Sequence, residues 1–167
     1  LPISLTAVHP HLKELRLWGA PGNLQNFSAV REFRELTHLS TFDLFSFGAD
    51  NIPTPEQMPE LRWFWMTSLP ETAAKAAKQL WKGKAGMDLR ITKPRKPEWL
   101  AQNLDNPFRG WDGAEHIPAA AAKRAARQYR KTRSQLMKLA SQPGGDAQAL
   151  EAVAAYTQAF NKMGFIE

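Results

Sequence analysis

The sequence predicts an α/β protein in which a short array of strand-containing repeats is followed by two helices. The first observation is an apolar spacing that recurs between residues 12 and 94. The second is a change after residue 117, where alanine, lysine and arginine dominate and helical spacing replaces strand alternation. We therefore expect a repeat array at residues 1–97, an ordered strap at 98–117 and a helical hairpin at 118–167.

Composition limits the class of protein. A chain of 167 residues is long enough to bury a core, and it contains no cysteine. The missing cysteine excludes disulfides, thiol chemistry and cysteine-bound zinc. No run of 18 apolar residues is present, so no membrane span is predicted. The net charge of +6 is shared, since residues 1–100 carry 13 Lys/Arg against 10 Asp/Glu and residues 101–167 carry 9 against 6.

Four segments share one set of apolar offsets, of the form L-x-x-L-x-L-x-x-A in the first copy. Their repeat starts lie 27, 22 and 25 residues apart, within the period of about 20–29 residues typical of strand-bearing repeats. The four sets are Leu12, Leu15, Leu17 and Ala20; Leu39, Phe42, Leu44 and Phe47; Leu61, Phe64, Met66 and Leu69; and Gly86, Leu89, Ile91 and Pro94.

These offsets resemble the leucine-rich repeat family over about residues 12–94, although the asparagine of the family pattern is absent. The resemblance implies a curved solenoid with parallel strands on its concave side. It also implies a protein-binding role rather than catalysis. Residues 118–167 resemble no family that we can name.

Strand alternation places the residues between the apolar positions on the outward, concave face. The predicted columns on that face are Glu14, Thr41, Trp63 and Asp88; Arg16, Asp43, Trp65 and Arg90; and Trp18, Phe45, Thr67 and Thr92. In the second column, Arg16 beside Asp43 predicts a lateral ion pair, which would contribute little stability if exposed.

Aromatic residues on this face are candidate anchors for a protein partner, because tryptophan above all is enriched in interfaces. The predicted partner-binding residues are Trp18, Phe45, Trp63, Trp65, Arg16, Asp43 and Arg90. The alternative is internal cover of the aromatic side chains, either by the C-terminal helices or by a strap that lies over the last repeat and carries Trp99, Phe108 and Trp111.

The connections between strands predict three different structures. The first connection predicts a helix capped at Ser28, with an apolar face formed by Val30, Phe33 and Leu36. The second, residues 48–60, contains three prolines within seven residues and therefore predicts an irregular or 3₁₀ segment. The third predicts a helix over residues 71–81, with Ser68 or Thr67 as its cap.

Helical spacing returns after Pro118. It predicts one helix that ends at about Leu139 or Ala140 and a second that Asp146 caps and that continues through Met163. Leu150, Val153, Thr157 and Phe160 form the apolar stripe expected on the second helix. The short turn between the helices predicts antiparallel packing. Because a solenoid exposes its core at both ends, this hairpin is the expected cap.

The first of these helices is strongly basic, and no acidic residue occurs between Glu115 and Asp146. Its cations are Lys123, Arg124, Arg127, Arg130, Lys131, Arg133 and Lys138. They favour, as an alternative function, a basic surface that binds nucleic acid, an acidic partner or a membrane. Tyr129 is the only aromatic residue among them, which disfavours nucleic acid as the partner. A helix face that only contacts water is the simplest interpretation.

The sequence contains no motif of an enzyme that we recognise, and no catalytic residue, metal ligand or cofactor is predicted. The compact acid and histidine cluster of Asp112, Glu115 and His116 is more typical of caps and turns. We therefore predict a protein-interaction module or scaffold. The absence of a signal peptide and of cysteine favours the cytoplasm. The first residue, Leu1, lies within repeat-like sequence, which suggests a piece of a longer protein.

Overall fold

The structure is a computed structural model that describes residues 9–112 and 114–164. The chain divides into two compact units, residues 1–100 and 101–167. The first eight residues of the predicted repeat array lie outside the described residues.

The first unit is built on a parallel sheet with strand order β1-β2-β3-β4. This sheet confirms the predicted α/β class with parallel strands. The strands are β1 (Glu14–Asn23), β2 (His38–Phe45), β3 (Trp63–Pro70) and β4 (Asp88–Arg95).

The connections agree in part with the sequence predictions. The first is a 3₁₀ segment, Phe27–Glu32, and not the helix predicted there; Ser28 donates its hydroxyl proton to the Asn26 side chain at 2.8 Å. The proline-rich second connection contains the predicted 3₁₀ turn, Ala49–Asn51. The third contains helix α1 (Glu71–Leu80), which follows directly after β3, with Pro70 in the cap position. Ser68 does not cap this helix because it lies buried within β3.

The register of β2 differs from the predicted one by three residues. The N–H groups of Thr37 and His38 both donate to the carbonyl of Lys13, at 2.9 and 3.0 Å, and those of Arg62 and Trp63 donate to the carbonyl of Thr37 at the same two distances. Lys13, Thr37 and Arg62 therefore occupy equivalent positions, each directly before its strand. His38 lies between Glu14 and Trp63 in the sheet, where the sequence predicted Thr41.

A left-handed backbone conformation recurs at one position of three successive strands. Asp43, Ser68 and Lys93 have φ values of 56°, 56° and 49°. The alternation of buried and solvent-facing side chains stops at this position, and the residues that follow in β2 and β3 are all buried. The Ser68 hydroxyl donates to the Asp43 carboxylate at 2.9 Å, which links two of these positions through a buried hydrogen bond.

The core of the first unit lies between the sheet and the connecting segments. Phe64 and Met66 of β3 are fully buried, and the Phe64 and Trp81 rings pack in a T-shaped arrangement with centroids 5.7 Å apart. Trp81 also donates its indole N–H to the carbonyl of Pro53 at 3.0 Å. Three other buried residues come from the predicted apolar face of the first connection, namely Val30, Phe33 and Leu36.

The second unit is helical. Its helices are α2 (Pro97–Asn103), which begins in the first unit, α3 (Ala119–Leu139) and α4 (Asp146–Asn161). Helices α3 and α4 pack on each other. Asp146 lies in the first turn of α4, after Gly145 in the cap position, so the predicted cap is displaced by one residue.

The predicted strap does not act as one piece. Trp99 packs on Phe45 within the first unit, with ring centroids 6.2 Å apart. Phe108 and Trp111 pack on Phe160 of α4 within the second unit, with centroids 4.4 and 6.4 Å from it. The aromatic residues of the strap therefore contribute to two separate cores.

Among the described residues, no helix combines the length and the apolarity needed to cross a lipid bilayer.

One exposed carboxylate gives a pH-dependent prediction. The hydrogen bond from Lys13 and then that from His11, both 2.6 Å long, lower the pKa of Glu35 from its usual value of 4.5. Its stabilising contribution is therefore present above the pKa of the unfolded chain and is lost as the pH falls through the lower pKa of the folded state.

We expect Glu35→Gln to be less stable than the wild type near neutral pH, with the difference disappearing in acid. Urea unfolding at a series of pH values, from neutral pH to below the carboxyl range, measures this difference in stability. In the Lys13→Gln background the difference should shrink. A stability gap that persists below the carboxyl range, or that Lys13→Gln leaves unchanged, would contradict the assignment.

Candidate functional site

One face of the sheet carries large aromatic side chains in contact with solvent. Three rows of outward residues cross the four strands in the observed register: Glu14, His38, Trp63 and Asp88; Arg16, Ser40, Trp65 and Arg90; and Trp18, Phe42, Thr67 and Thr92. We call the solvent-facing group of Trp18, Phe42, Trp63 and Trp65 the aromatic face.

These four side chains remain accessible in the folded chain. Trp18 is 79% exposed, Phe42 46%, Trp63 39% and Trp65 38%. The ring centroids of Trp18 and Phe42 lie 6.1 Å apart at an interplanar angle of 46°. Rings of this size contribute most of their hydrophobic free energy only when something covers them. The aromatic face is therefore an exposed apolar surface of the kind found at interaction sites.

A depression of about 520 Å³ lies at the centre of this face, and Trp18, Phe42, Trp63 and Trp65 all line it. Ser40 lies in the middle row, between Arg16 of β1 and Trp65 of β3. Along β2 it lies between His38 and Phe42. Because serine is small and its neighbours are large, the surface is lowest at this position. The side chains that surround Ser40 thus form the walls of an open pocket.

His38 fixes the orientation of one wall. Its ring stacks on Trp63 with centroids 3.9 Å apart and an interplanar angle of 8°. The single hydroxyl proton of Thr37 is donated to the Lys13 carbonyl at 2.9 Å, so the Nδ1–H of His38 donates to the Thr37 oxygen at 2.8 Å. In neutral His38, this assignment leaves Nε2 as a hydrogen-bond acceptor at the edge of the depression.

Charged residues border the aromatic face in matched pairs. Arg16 donates to Glu14 on β1, and Arg90 donates to both carboxylate oxygens of Asp88 on β4, each at 3.0 Å. The Arg90 guanidinium also lies 4.3 Å from the Trp65 ring centroid, in a cation–π contact. Since each carboxylate is paired with an arginine, the border carries no net charge from these four residues.

The structure places the predicted partner-binding residues in two groups. Trp18, Trp63, Trp65, Arg16 and Arg90 share the solvent-facing side of the sheet, as predicted. Phe45 and Asp43 do not, since they are 1% and 8% exposed. The predicted Arg16–Asp43 ion pair is wrong for the same reason. Thr41 is buried as well, because the three-residue change of register reverses the two faces of β2.

Three residues of the site escaped the sequence prediction, namely His38, Ser40 and Phe42. A more even repeat spacing could have found them. Taking Leu36 in place of Leu39 as the second repeat start changes the intervals to 24, 25 and 25 residues. The spacing of Leu36 from Val30 and Phe33 instead favours a place on the apolar face of the preceding connection. In addition, a polar threonine at position 41 is not typical of a core position.

The alternative basic surface lies on α3 in the second unit. Lys123, Arg124, Arg127 and Lys131 are exposed. Arg130 and Arg133 turn toward the segment before α3. Arg130 donates to the Asn103 side chain at 3.1 Å, and Arg133 lies 3.6 Å from the Asp105 carboxylate.

Other candidate chemistry is sparse. Asp112, Glu115 and His116 are exposed, and Pro118 occupies the cap position of α3. Within residues 9–112 and 114–164, no three His, Asp or Glu side chains are grouped so that they could hold a metal ion.

Comparison of the chain with protein-family models, with curated proteins and with solved structures finds no match.

Proposed function

We propose that this protein is an interaction module that binds another protein through the aromatic face of its sheet. The observation that supports this proposal is the exposure of Trp18, Phe42, Trp63 and Trp65 around one depression. Tryptophan side chains in a pocket with a polar border are typical of the few residues that dominate binding free energy in protein interfaces.

The shape of the site favours a macromolecular partner over a small ligand. Pockets for small ligands enclose 70–90% or more of the ligand surface. Here the depression lies on an open sheet face, and one of its walls is Trp18, which is itself 79% exposed. A partner with a surface of its own would cover the rings and the border together, and it would exclude water from both.

The chemistry of the site favours apolar side chains as the occupants of the depression. The arginines of the border are already paired with Glu14 and Asp88, so a charged group would have to displace an existing ion pair. The backbone groups of β2 and β3 are engaged in the sheet. Recognition at the depression therefore depends on side chains that insert over Ser40.

The test compares a variant that removes two walls of the depression with one that fills it. A partner captured by cross-linking to the full chain is purified and titrated by calorimetry. We expect the Trp63→Ala/Trp65→Ala double variant to raise Kd by at least about 30-fold, which corresponds to about 2 kcal/mol for a dominant contact. Ser40→Trp should weaken binding similarly, because the added ring occupies the space that the partner needs.

A matched control separates this site from general hydrophobic adhesion. Leu80→Ala removes an apolar side chain on α1 that is 38% exposed, like Trp65, and should leave Kd unchanged. Adhesion without a site predicts tighter binding for Ser40→Trp, because it adds apolar surface. An unchanged Kd for the double variant would overturn the proposal.

The finer parts of the sequence prediction also stay proposals. These are membership of the leucine-rich repeat family, a curved solenoid, a capping role for the helices of 118–167 and a cytoplasmic location. The repeat interval of 24–25 residues in the observed register supports the first two.

A further inference from the structure

Five cations on α3 have no protein partner within the part of the chain that the structure describes. All five side chains are exposed, and none takes part in a hydrogen bond or ion pair there. We call them the basic stripe: Lys123, Arg124, Arg127, Lys131 and Lys138. The two other cations of the helix, Arg130 and Arg133, are engaged with Asn103 and Asp105.

The basic stripe occupies one side of the helix. At 3.6 residues per turn, its five positions fall within about 100° of the circumference and extend over about 22 Å. The buried residues of α3, which include Ala121, Ala125 and Thr132, lie on the other side. The stripe therefore faces solvent as a continuous row of positive charge.

This arrangement opposes the stability of the helix. Lys123, Arg127 and Lys131 follow one another at intervals of four residues, and like charges at this spacing repel by about 0.2–0.5 kcal/mol per pair. No acidic residue occurs in the first turn, where it would interact favourably with the helix dipole. A binding role accounts for charges that weaken the element carrying them.

We infer that the basic stripe binds the phosphate backbone of a double-stranded nucleic acid without reading its sequence. Phosphates along a duplex provide a linear array of negative charge that a straight row of Lys and Arg side chains can match. Contacts to phosphates position a protein on the duplex and need no base-specific side chain. An α-helix also fits the width of the major groove of DNA.

The residues beside the stripe decide against other polyanions. Single strands are bound through stacking on aromatic rings, and the stripe contains none. Helices that bind membranes carry a broad apolar face that enters the lipid. In α3, Ala121, Ala122 and Ala125 are buried, and Met137 is the only large apolar side chain of the helix that is mostly exposed. An acidic protein would be recognised by matched charges within a shaped, partly apolar surface. The stripe offers only long, flexible cations.

The experiment measures anisotropy of a labelled 20-base-pair duplex of random sequence with the full chain. If five phosphates are neutralised, raising the salt from 50 to 200 mM should weaken binding by about 500-fold. The triple variant Lys123→Gln/Arg127→Gln/Lys131→Gln retains helix propensity and removes three contacts. Its salt-dependent loss should fall to about 12-fold, and its affinity at 50 mM should fall sharply.

The control changes net charge equally at another place. Lys75→Gln/Lys78→Gln/Lys82→Gln removes three exposed lysines from the first unit and should retain the wild-type salt dependence. Equal losses in both triple variants would overturn the inference, since net charge alone would then explain binding. Absence of binding at 50 mM salt would overturn it too. So would equal or tighter binding to anionic phosphatidylserine vesicles or to polyglutamate.

Discussion

Trp81→Ala is expected to lower the free energy of unfolding of the first unit by about 3–5 kcal/mol, the range for truncating a large buried aromatic residue. Trp81 is 2% exposed, and its ring forms a T-shaped contact with the Phe64 ring in the core. The substitution would leave a cavity and would also remove the hydrogen bond that the indole N–H donates to the carbonyl of the buried Pro53. Trp81→Phe should cost less, because most of the ring volume remains.

The exposed tryptophan of the aromatic face provides the contrast. Trp18→Ala removes the same side chain from a position that is 79% exposed, and it should change the free energy of unfolding by no more than about 0.5 kcal/mol. Urea unfolding followed by far-UV circular dichroism measures both variants. Equal losses of stability would show that Trp18 belongs to the core, and the assignment of the aromatic face would then fail.

Gly22→Ala is expected to destabilise the first unit by about 1–3 kcal/mol, because it overpacks the contact between β1 and β2. The strand pairing shifts between Trp18 and Gly22, where β1 is irregular. A Cβ atom at Gly22 would lie 2.7 Å from the Cα of Gly19 and 2.9 Å from the Asp43 carbonyl oxygen. Both obstacles are backbone atoms, so the strand itself must move.

Gly48→Ala is the matched control for this substitution. Nothing lies within 4 Å of a Cβ atom at Gly48, and its φ of −126° suits any residue. Its free energy of unfolding should stay within about 0.5 kcal/mol of the wild type in the same urea titration. If Gly22→Ala were equally mild, the close approach of the two strands would be refuted.

Much of the site could be predicted from short-range pattern. The alternation around Leu15, Phe64 and Leu89 placed Trp63, Trp65 and Arg90 on the solvent side, because a strand sends successive side chains to opposite faces. The proline-rich second connection was also predicted correctly. Local chemistry decides such features, since a proline limits its own backbone whatever the rest of the chain does.

Register was the part that local pattern could not decide. In β2, the inward positions of the strand can be assigned from Leu39-Ser40-Thr41 or from Phe42-Asp43-Leu44. The two resulting registers differ by three residues, which is an odd number. An odd shift exchanges the two faces of a strand. The prediction therefore placed Phe45 on the outward face and Phe42 in the core, whereas the structure has Phe45 in the core and Phe42 in the site.

The helices show the same division. The basic composition and the bounds of α3 follow closely from the sequence, as Ala119–Leu139 shows. Which cations remain without a protein partner depends on Asn103 and Asp105, which precede the helix by at least 14 residues in the chain. The apolar stripe predicted for α4 was wrong at Leu150, Val153 and Thr157, which are exposed. The helix instead buries Ala152 and partly buries Ala149 and Tyr156, a face displaced by one residue from the predicted one.

The sequence by itself determined that this protein has a parallel α/β sheet with aromatic side chains between its core positions, and that a basic helix follows. Only the tertiary structure decided that His38, Ser40 and Phe42 complete the aromatic face. The physical reason is that strands are aligned by hydrogen bonds between distant segments, such as those from Thr37 and His38 to Lys13. Those bonds set the register across the whole sheet, whereas residue periodicity acts only within one strand.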